Sequence, residues 1–206
     1  MASSTAKENI LRRIKQALVN PVPLPFPHAE TLSSVYQAPN EELEIIFAEE
    51  FIKLQGKFIF CTNENDLHNQ LAQLISGNNW DNIFCIEDKW KSAFSTTTNL
   101  ESCDAAITEC EYLVARTGTI VMSAAQQSGR TVSVYAPIHI CIAYSNQLVF
   151  DIKDALQLLK HKYAGKIPSL ITFASGPSRT ADIEKTLVTG VHGPKEVYLF
   201  FVDDAH

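Results

Sequence analysis

The apolar positions of STAKENILRRIKQALV (residues 4–19) recur at helical spacing. Ile10, Leu11, Ile14, Ala17 and Leu18 form one stripe, with Lys and Arg on the other side. Such a helix needs a partner surface, and two readings stay open: an arm gripping another subunit of a homo-oligomer, or a helix packed on its own domain. The next stretch, NPVPLPFPHAETLSSVYQAP, has no periodicity and holds five of the nine prolines. Proline removes backbone donors and biases its neighbours to extended conformations, so the stretch reads as a linker. Residues 1–39 are therefore expected to form an N-terminal helix and Pro-rich link, and residues 40–206 the main domain.

From residue 40 the pattern alternates between periods. NEELEIIFAEEFIKLQG reads as a helix opened by Asn40 and closed at Gly56. KFIFCT is a short apolar strand, ENDLHNQLAQLISG a helix and NIFCIED another strand. After residue 103 come the strand-like runs DAAITEC, GTIVMS, TVSVYAP, HICIAYS and LVF, then the helix DIKDALQLLKHKY capped by Asp151. Strand SLITFAS, a helix from Thr180 to about Thr189 and strand EVYLFFVD complete the pattern. Strands separated by helices imply right-handed crossovers and parallel pairing, so the expected fold class is α/β: a mixed, mostly parallel sheet flanked by helices.

Composition narrows the function classes. With 206 residues, 46% hydrophobic and 19% charged, the chain suits one substantial core. A net charge of −6 offers no general field for nucleic acid or an anionic membrane. No apolar run reaches the roughly 18–20 residues of a membrane span, and the first residues lack a secretory apolar segment, so a cytoplasmic protein is expected. The five cysteines, Cys61, Cys85, Cys103, Cys110 and Cys141, include no CxxC pair and read as buried thiols. No metal site and no cofactor are expected in this chain, so electron transfer would need a partner or a soluble cofactor.

Candidate chemistry concentrates in FASGPSRTADIEKTLVTGVHGPKE, residues 173–196. Read as strand, turn and helix, its first half offers Ser175, Gly176, Ser178, Arg179 and Thr180 as an anion cradle at a helix start, at the carboxyl end of the sheet. The alternative is a plain helix cap, with Arg179 paired to Asp182 or Glu184. At the far end Gly190 and Pro194 suit a helix stop, whereas His192 is free to move a proton or bind a carboxylate, or else to bond a loop carbonyl. A helix of about nine residues would hold the two ends about 13–14 Å apart, so a shared site requires the flanking loops to converge. Thr117, Gly118 and Thr119 form a second polar turn that can bond a ligand or only itself. His139, inside an apolar strand, reads as a satisfied core histidine.

ARTGTIVM, SGRTVSVYAPIHICIA and above all SGPSRTADIEKTLVTGVHGPKE resemble the LUD-domain family, over roughly residues 40–202. The resemblance implies the sugar-phosphate isomerase and CoA-transferase-like fold. It also implies a role in oxidising L-lactate to pyruvate, with iron–sulfur clusters carried by partner subunits. Family members usually show AETGT, and Arg116 stands where that glutamate would be. Arg116 either reverses the charge and removes the acid's chemistry, or joins Arg179 in an anion site. His192 and Arg116 are thus the catalytic candidates. The leading expectation is an accessory subunit of a lactate-utilization complex that binds a small anionic ligand. The alternatives are a stand-alone enzyme acting on a phosphorylated sugar or CoA ester, and an interaction module without a ligand.

Overall fold

The computed structural model describes residues 6–19, 39, 41–183 and 186–203. The chain divides into two units, Met1–Ala38 and Pro39–His206. In the first, α1 (Ala6–Val19) is a helix over the amphipathic stretch. The Pro-rich link lies outside the described residues, apart from Pro39.

The second unit runs α2 (Leu43–Lys53), β1 (Lys57–Cys61), α3 (Glu64–Gly77), β2 (Ile83–Cys85), α4 (Lys91–Phe94), β3 (Ala105–Glu109) and β4 (Tyr112–Val114). It continues β5 (Thr119–Ser123), α5 (Val132–Tyr135), β6 (Ile138–Tyr144), β7 (Leu148–Val149), α6 (Ile152–Lys162), β8 (Ile171–Ala174), β9 (Arg179–Ile183), β10 (Thr186–Thr189) and β11 (Glu196–Val202). Five strands make a parallel sheet in the order β1-β11-β6-β3-β2, and four make a second sheet, β7-β4-β5-β8, with β5 antiparallel to both neighbours. The expected α/β class, with a mostly parallel central sheet, is what the chain adopts.

Strand alternation builds the layers. In β6 (IHICIAY), Ile140 and Ile142 pack with Leu67 and Leu71 of α3, Trp90, and Phe94 of α4. Cys141 and Ala143 point the other way, joining Val197, Leu199 and Phe201 of β11 against Phe47 and Phe51 of α2 and Leu113, Ile120 and Met122 of the second sheet. The small Cys141 and Ala143 leave room for that second layer. On its far side, Val114 and Val121 pack with Ala155 and Leu159 of α6. Each fully buried Leu, Ile or Phe contributes roughly 1.5–3 kcal/mol relative to exposure. One face of the parallel sheet is thus covered by helices, and the other largely by a second sheet.

The cap expected at Asp151 holds, and α3 has a cap that the sequence reading did not name. Asn63 accepts from the Asp66 N–H (2.9 Å) at the start of α3, and Asp151 accepts from the Lys153 N–H (3.1 Å) at the start of α6. In α2 the helix starts at Leu43, and Asn40 lies outside the described residues. Gln55, not Gly56, takes the left-handed conformation after α2, with φ of 67°. Gly56 is needed for space, since a Cβ there would lie 2.4 Å from the Phe51 ring. All five cysteines are free and buried, as expected.

Two expectations fail. TVSVYAP is not a strand: Val132–Tyr135 is one short helical turn, closed by extended Ala136 before Pro137. The segment from Thr180 to Thr189 is not a helix but the antiparallel hairpin β9–β10. Its ADIEKTLV core has an acceptable helical pattern. However, Thr180, Ile183, Thr186, Val188 and Thr189 are β-branched, and the turns at both ends of the hairpin are tied together.

Candidate functional site

The hairpin decides how the candidate residues meet. Entering at Ser178 and leaving at Gly190, the chain returns to where it started: the Ser178 N–H donates to the Pro194 carbonyl (2.9 Å), and the Gly190 N–H donates to the Ser178 carbonyl (3.0 Å). The Lys195 N–H then donates to the Pro137 carbonyl (2.8 Å), tying the exit to the start of β6. The glycines and prolines at both ends therefore serve a closed crossing of two turns. A helix would have kept these ends apart; the hairpin joins them.

Between these turns lies a cleft of about 350 Å³. The Ser175–Ser178 turn and the His192–Pro194 turn form its rim, Thr172 to Ala174 and Met122 one wall, Ser133 and Val134 of α5 another, with His139 and Val197 also lining it. His139 and Val197 are the second residues of β6 and β11, so the cleft sits at the amino edge of the parallel sheet. That overturns the expected position at the carboxyl edge. The reason is that β8, which carries the turn, belongs to the four-stranded sheet and does not lead into a crossover helix. At the carboxyl edge, charged groups pair with each other: Lys89 donates to Glu64 and to the Tyr144 hydroxyl (2.6 Å).

Of the candidate residues, Ser175, Gly176, Ser178 and His192 line the cleft. Thr119, almost fully buried, links the two polar turns: its hydroxyl lies 2.8 Å from that of Thr117 and 2.7 Å from that of Ser175. Thr117 and Thr119 thus position Ser175. Gly118 faces elsewhere. With φ of 54° and a would-be Cβ 2.5 Å from the Phe51 nitrogen, it lets the turn lie on the backbone of α2. Gly176 has φ of 76° and lies as closely on the Leu54 carbonyl.

The two arginines do not form an anion site. Arg116 Nε donates to Asp151 Oδ2 at 2.7 Å, so its charge is set on the cap of α6. Arg179 donates to the Leu54 carbonyl and is not among the cleft residues. Thr180 lies on β9 opposite Val188. No Lys or Arg is found among the described residues that line the cleft.

The sequence reading missed His139 as a site residue. The ring is buried, with Nε2 2.8 Å from the Thr108 hydroxyl, as a core histidine would be. Burial pushes its pKa down to about 4, so the ring is neutral at physiological pH. A lone histidine in an apolar strand announces burial, but does not tell whether its second nitrogen faces core or cavity. The buried thiols have little nucleophilic character: burial raises Cys61 to about 12 and Cys85 to about 11. Among the described residues no cluster of three His, Cys, Asp or Glu side chains is placed to hold a metal, and no helix is long and apolar enough to cross a membrane.

These observations define an α/β protein with a small cleft of mixed polar and apolar lining at the amino edge of its parallel sheet, closed by the two ends of a hairpin. The chain belongs to the LUD-domain family, whose model matches residues 35–202. It is 39% identical over 106 residues to lactate utilization protein C of Halalkalibacterium halodurans, covering 50% of this chain and 46% of that protein. An uncharacterized protein of Neisseria meningitidis is 31% identical over 119 residues, covering 58% and 48%. Lactate utilization protein C of Anoxybacillus flavithermus aligns over 185 residues at 26% identity, covering 80% and 82%. The matched part thus spans about half the length of the first two relatives and most of the third. Among solved structures, a DUF162 family protein from Deinococcus radiodurans shares the fold, with a TM-score of 0.60 and 17% identity over 81% of this chain and 99% of that one.

Proposed function

We propose that this chain serves lactate utilization as an accessory subunit that binds a small carboxylate in the cleft between Ser175–Ser178 and His192–Pro194. The observation that carries this reading is the crossing of the two turns at Ser178, which brings Ser175, Ser178 and His192 around a single small cavity. Hydroxyls and an imidazole suit a monoanionic carboxylate, whose oxygens can be met by hydrogen bonds. The names of the relatives supply the metabolic setting. Electron transfer would fall to iron–sulfur partner subunits, with this chain contributing recognition of the acid in the cytoplasm.

A stand-alone enzyme for a phosphorylated sugar or CoA ester, on an isomerase and CoA-transferase-like fold, draws less support. Both arginines that would hold a phosphate are turned to other groups.

Thermal unfolding of the full chain with L-lactate and with pyruvate tests the reading. Ligand at a hundred times its dissociation constant stabilises by about 2.7 kcal/mol, and Ser178→Ala with His192→Ala should abolish the shift. No shift with either acid, or a shift unchanged in the double variant, would refute the binding site. Copurification from lactate-grown cells, with iron quantified in the complex, tests the subunit role, and a chain isolated without iron-bearing partners would count against it.

A further inference from the structure

His139 is bonded on one side only. Its Nε2 meets the Thr108 hydroxyl, while Nδ1 has no hydrogen-bond partner among the described residues. Yet no fully enclosed side-chain nitrogen or oxygen among the described residues lacks a partner. Nδ1 is therefore not sealed in the core, and the cavity that His139 lines is the cleft. The ring is 1% exposed, and the space it borders is the cleft.

Resting on the carboxylate reading above, we infer that His139 Nδ1 is the specificity-determining contact for an oxygen on the second carbon of the ligand, and that the cleft takes 2-hydroxy and 2-oxo acids as a class. A neutral ring brings no charge to offset a carboxylate, and its free nitrogen can either accept from a hydroxyl or donate to a carbonyl; burial keeps this ring neutral. Thr108 lets it serve both. When Nε2–H donates to the threonine oxygen, Nδ1 is bare and accepts from a 2-hydroxyl. When the threonine hydroxyl donates to Nε2, Nδ1–H donates to a 2-oxo group. The carboxylate then lies toward the exposed rim, where Ser175 and His192 are found. The 2-oxygen faces the buried imidazole.

The test compares L-lactate, pyruvate and propionate, the last having the same carboxylate but no 2-oxygen. Affinities are measured by calorimetry on the full wild-type chain, and its ring nitrogens are followed by NMR after ¹⁵N-histidine labelling, so no variant has to fold. Propionate should bind about tenfold or more weakly, because it leaves Nδ1 unpaired on desolvation. Lactate and pyruvate should move the Nδ1 resonance of His139, and propionate should not. If lactate binds and either half fails, this inference is overturned while the carboxylate cleft stands. If none of the three acids binds, both fall together.

Discussion

Gly193 lies against Ser178 so closely that a Cβ on the glycine would stand 2.9 Å from the serine Cβ and 3.2 Å from its hydroxyl. The contact joins the two rims of the cleft at the crossing that the backbone bonds of Ser178 pin. Adding a methyl group here would push one rim from the other without touching the core. Gly193→Ala should cost roughly 1–2 kcal/mol in urea unfolding and remove most of the thermal shift given by L-lactate. Unchanged ligand response would show that the crossing does not shape the site.

His139 makes acid stability a second readout. In the unfolded chain an ordinary histidine titrates near pH 6.5, whereas the buried ring holds off protonation until about pH 4. Below pH 6.5 the unfolded state therefore binds the extra proton, and stability falls with falling pH until the native ring also protonates. At pH 5 this lowers stability by roughly 2 kcal/mol relative to pH 7. Glu87, whose carboxyl is raised by burial, works in the opposite sense, because its native form takes up protons more readily. His139→Gln retains Glu87 and should flatten the loss between pH 6.5 and 4. An identical acid limb in wild type and variant, followed by chemical denaturation, would contradict the neutral ring.

Most of the fold can be read in the sequence, because burial writes itself as periodicity: IHICIAY and EVYLFFV announce strands, and the Asp151 cap announces a helix. The hairpin at residues 179–189 escapes, since ADIEKTLV satisfies a helical stripe as well as a strand. What decides between them is a long-range tie, the Ser178 bonds to Pro194 and Gly190, that no local pattern contains. The same tie explains why Ser175, Ser178 and His192 were recognisable by residue type while their meeting was not. Thr117 and Thr119 show their polar character in sequence, but their link to Ser175 depends on β5 pairing with β8. The arginines mislead for a related reason: a guanidinium's partner, Asp151 or the Leu54 carbonyl, is set by packing between distant elements.

Arg116 offers a further test. Its Nε lies 2.7 Å from Asp151 Oδ2, in a pair whose side chains are about a quarter exposed (27% and 21%). Asp151 also caps α6, so Arg116→Glu would set two carboxylates together at a helix start and weaken the cap. The expected loss is roughly 1–3 kcal/mol at neutral pH. Partial burial works to raise the Asp151 pKa, but the bonds from Arg116 and the Lys153 N–H outweigh it and hold the carboxyl below its ordinary value. Its stabilisation is therefore present at neutral pH and is lost as acid protonates it. The gap between wild type and variant should accordingly narrow below about pH 4. A pH-independent gap would place the effect in packing alone. Lactate binding should persist in the variant, because Arg116 pairs outside the cleft.

Glu111 provides the last test, because its side chain is fully buried while the lysine that balances it is about half exposed. Its carboxylate accepts from Ser123 Oγ (2.5 Å), the Tyr163 hydroxyl (2.6 Å) and Lys162 Nζ (2.7 Å), tying β4 to β5 and to the end of α6. Burial alone would raise its pKa, yet Lys162 and the two hydroxyls together hold it below the ordinary carboxylate value. The network's stabilisation should thus be complete at neutral pH and vanish as the carboxylate protonates in acid. Glu111→Gln preserves shape but presents amide hydrogens where donors already converge, and should cost roughly 2–3 kcal/mol at pH 7. Lys162→Met should cost less, because Ser123 and Tyr163 still donate to the carboxylate. In a double-mutant cycle the lysine should contribute almost nothing once Glu111 is Gln, giving a coupling of about 1 kcal/mol. Additive losses would show that the lysine and the carboxylate stabilise the domain independently.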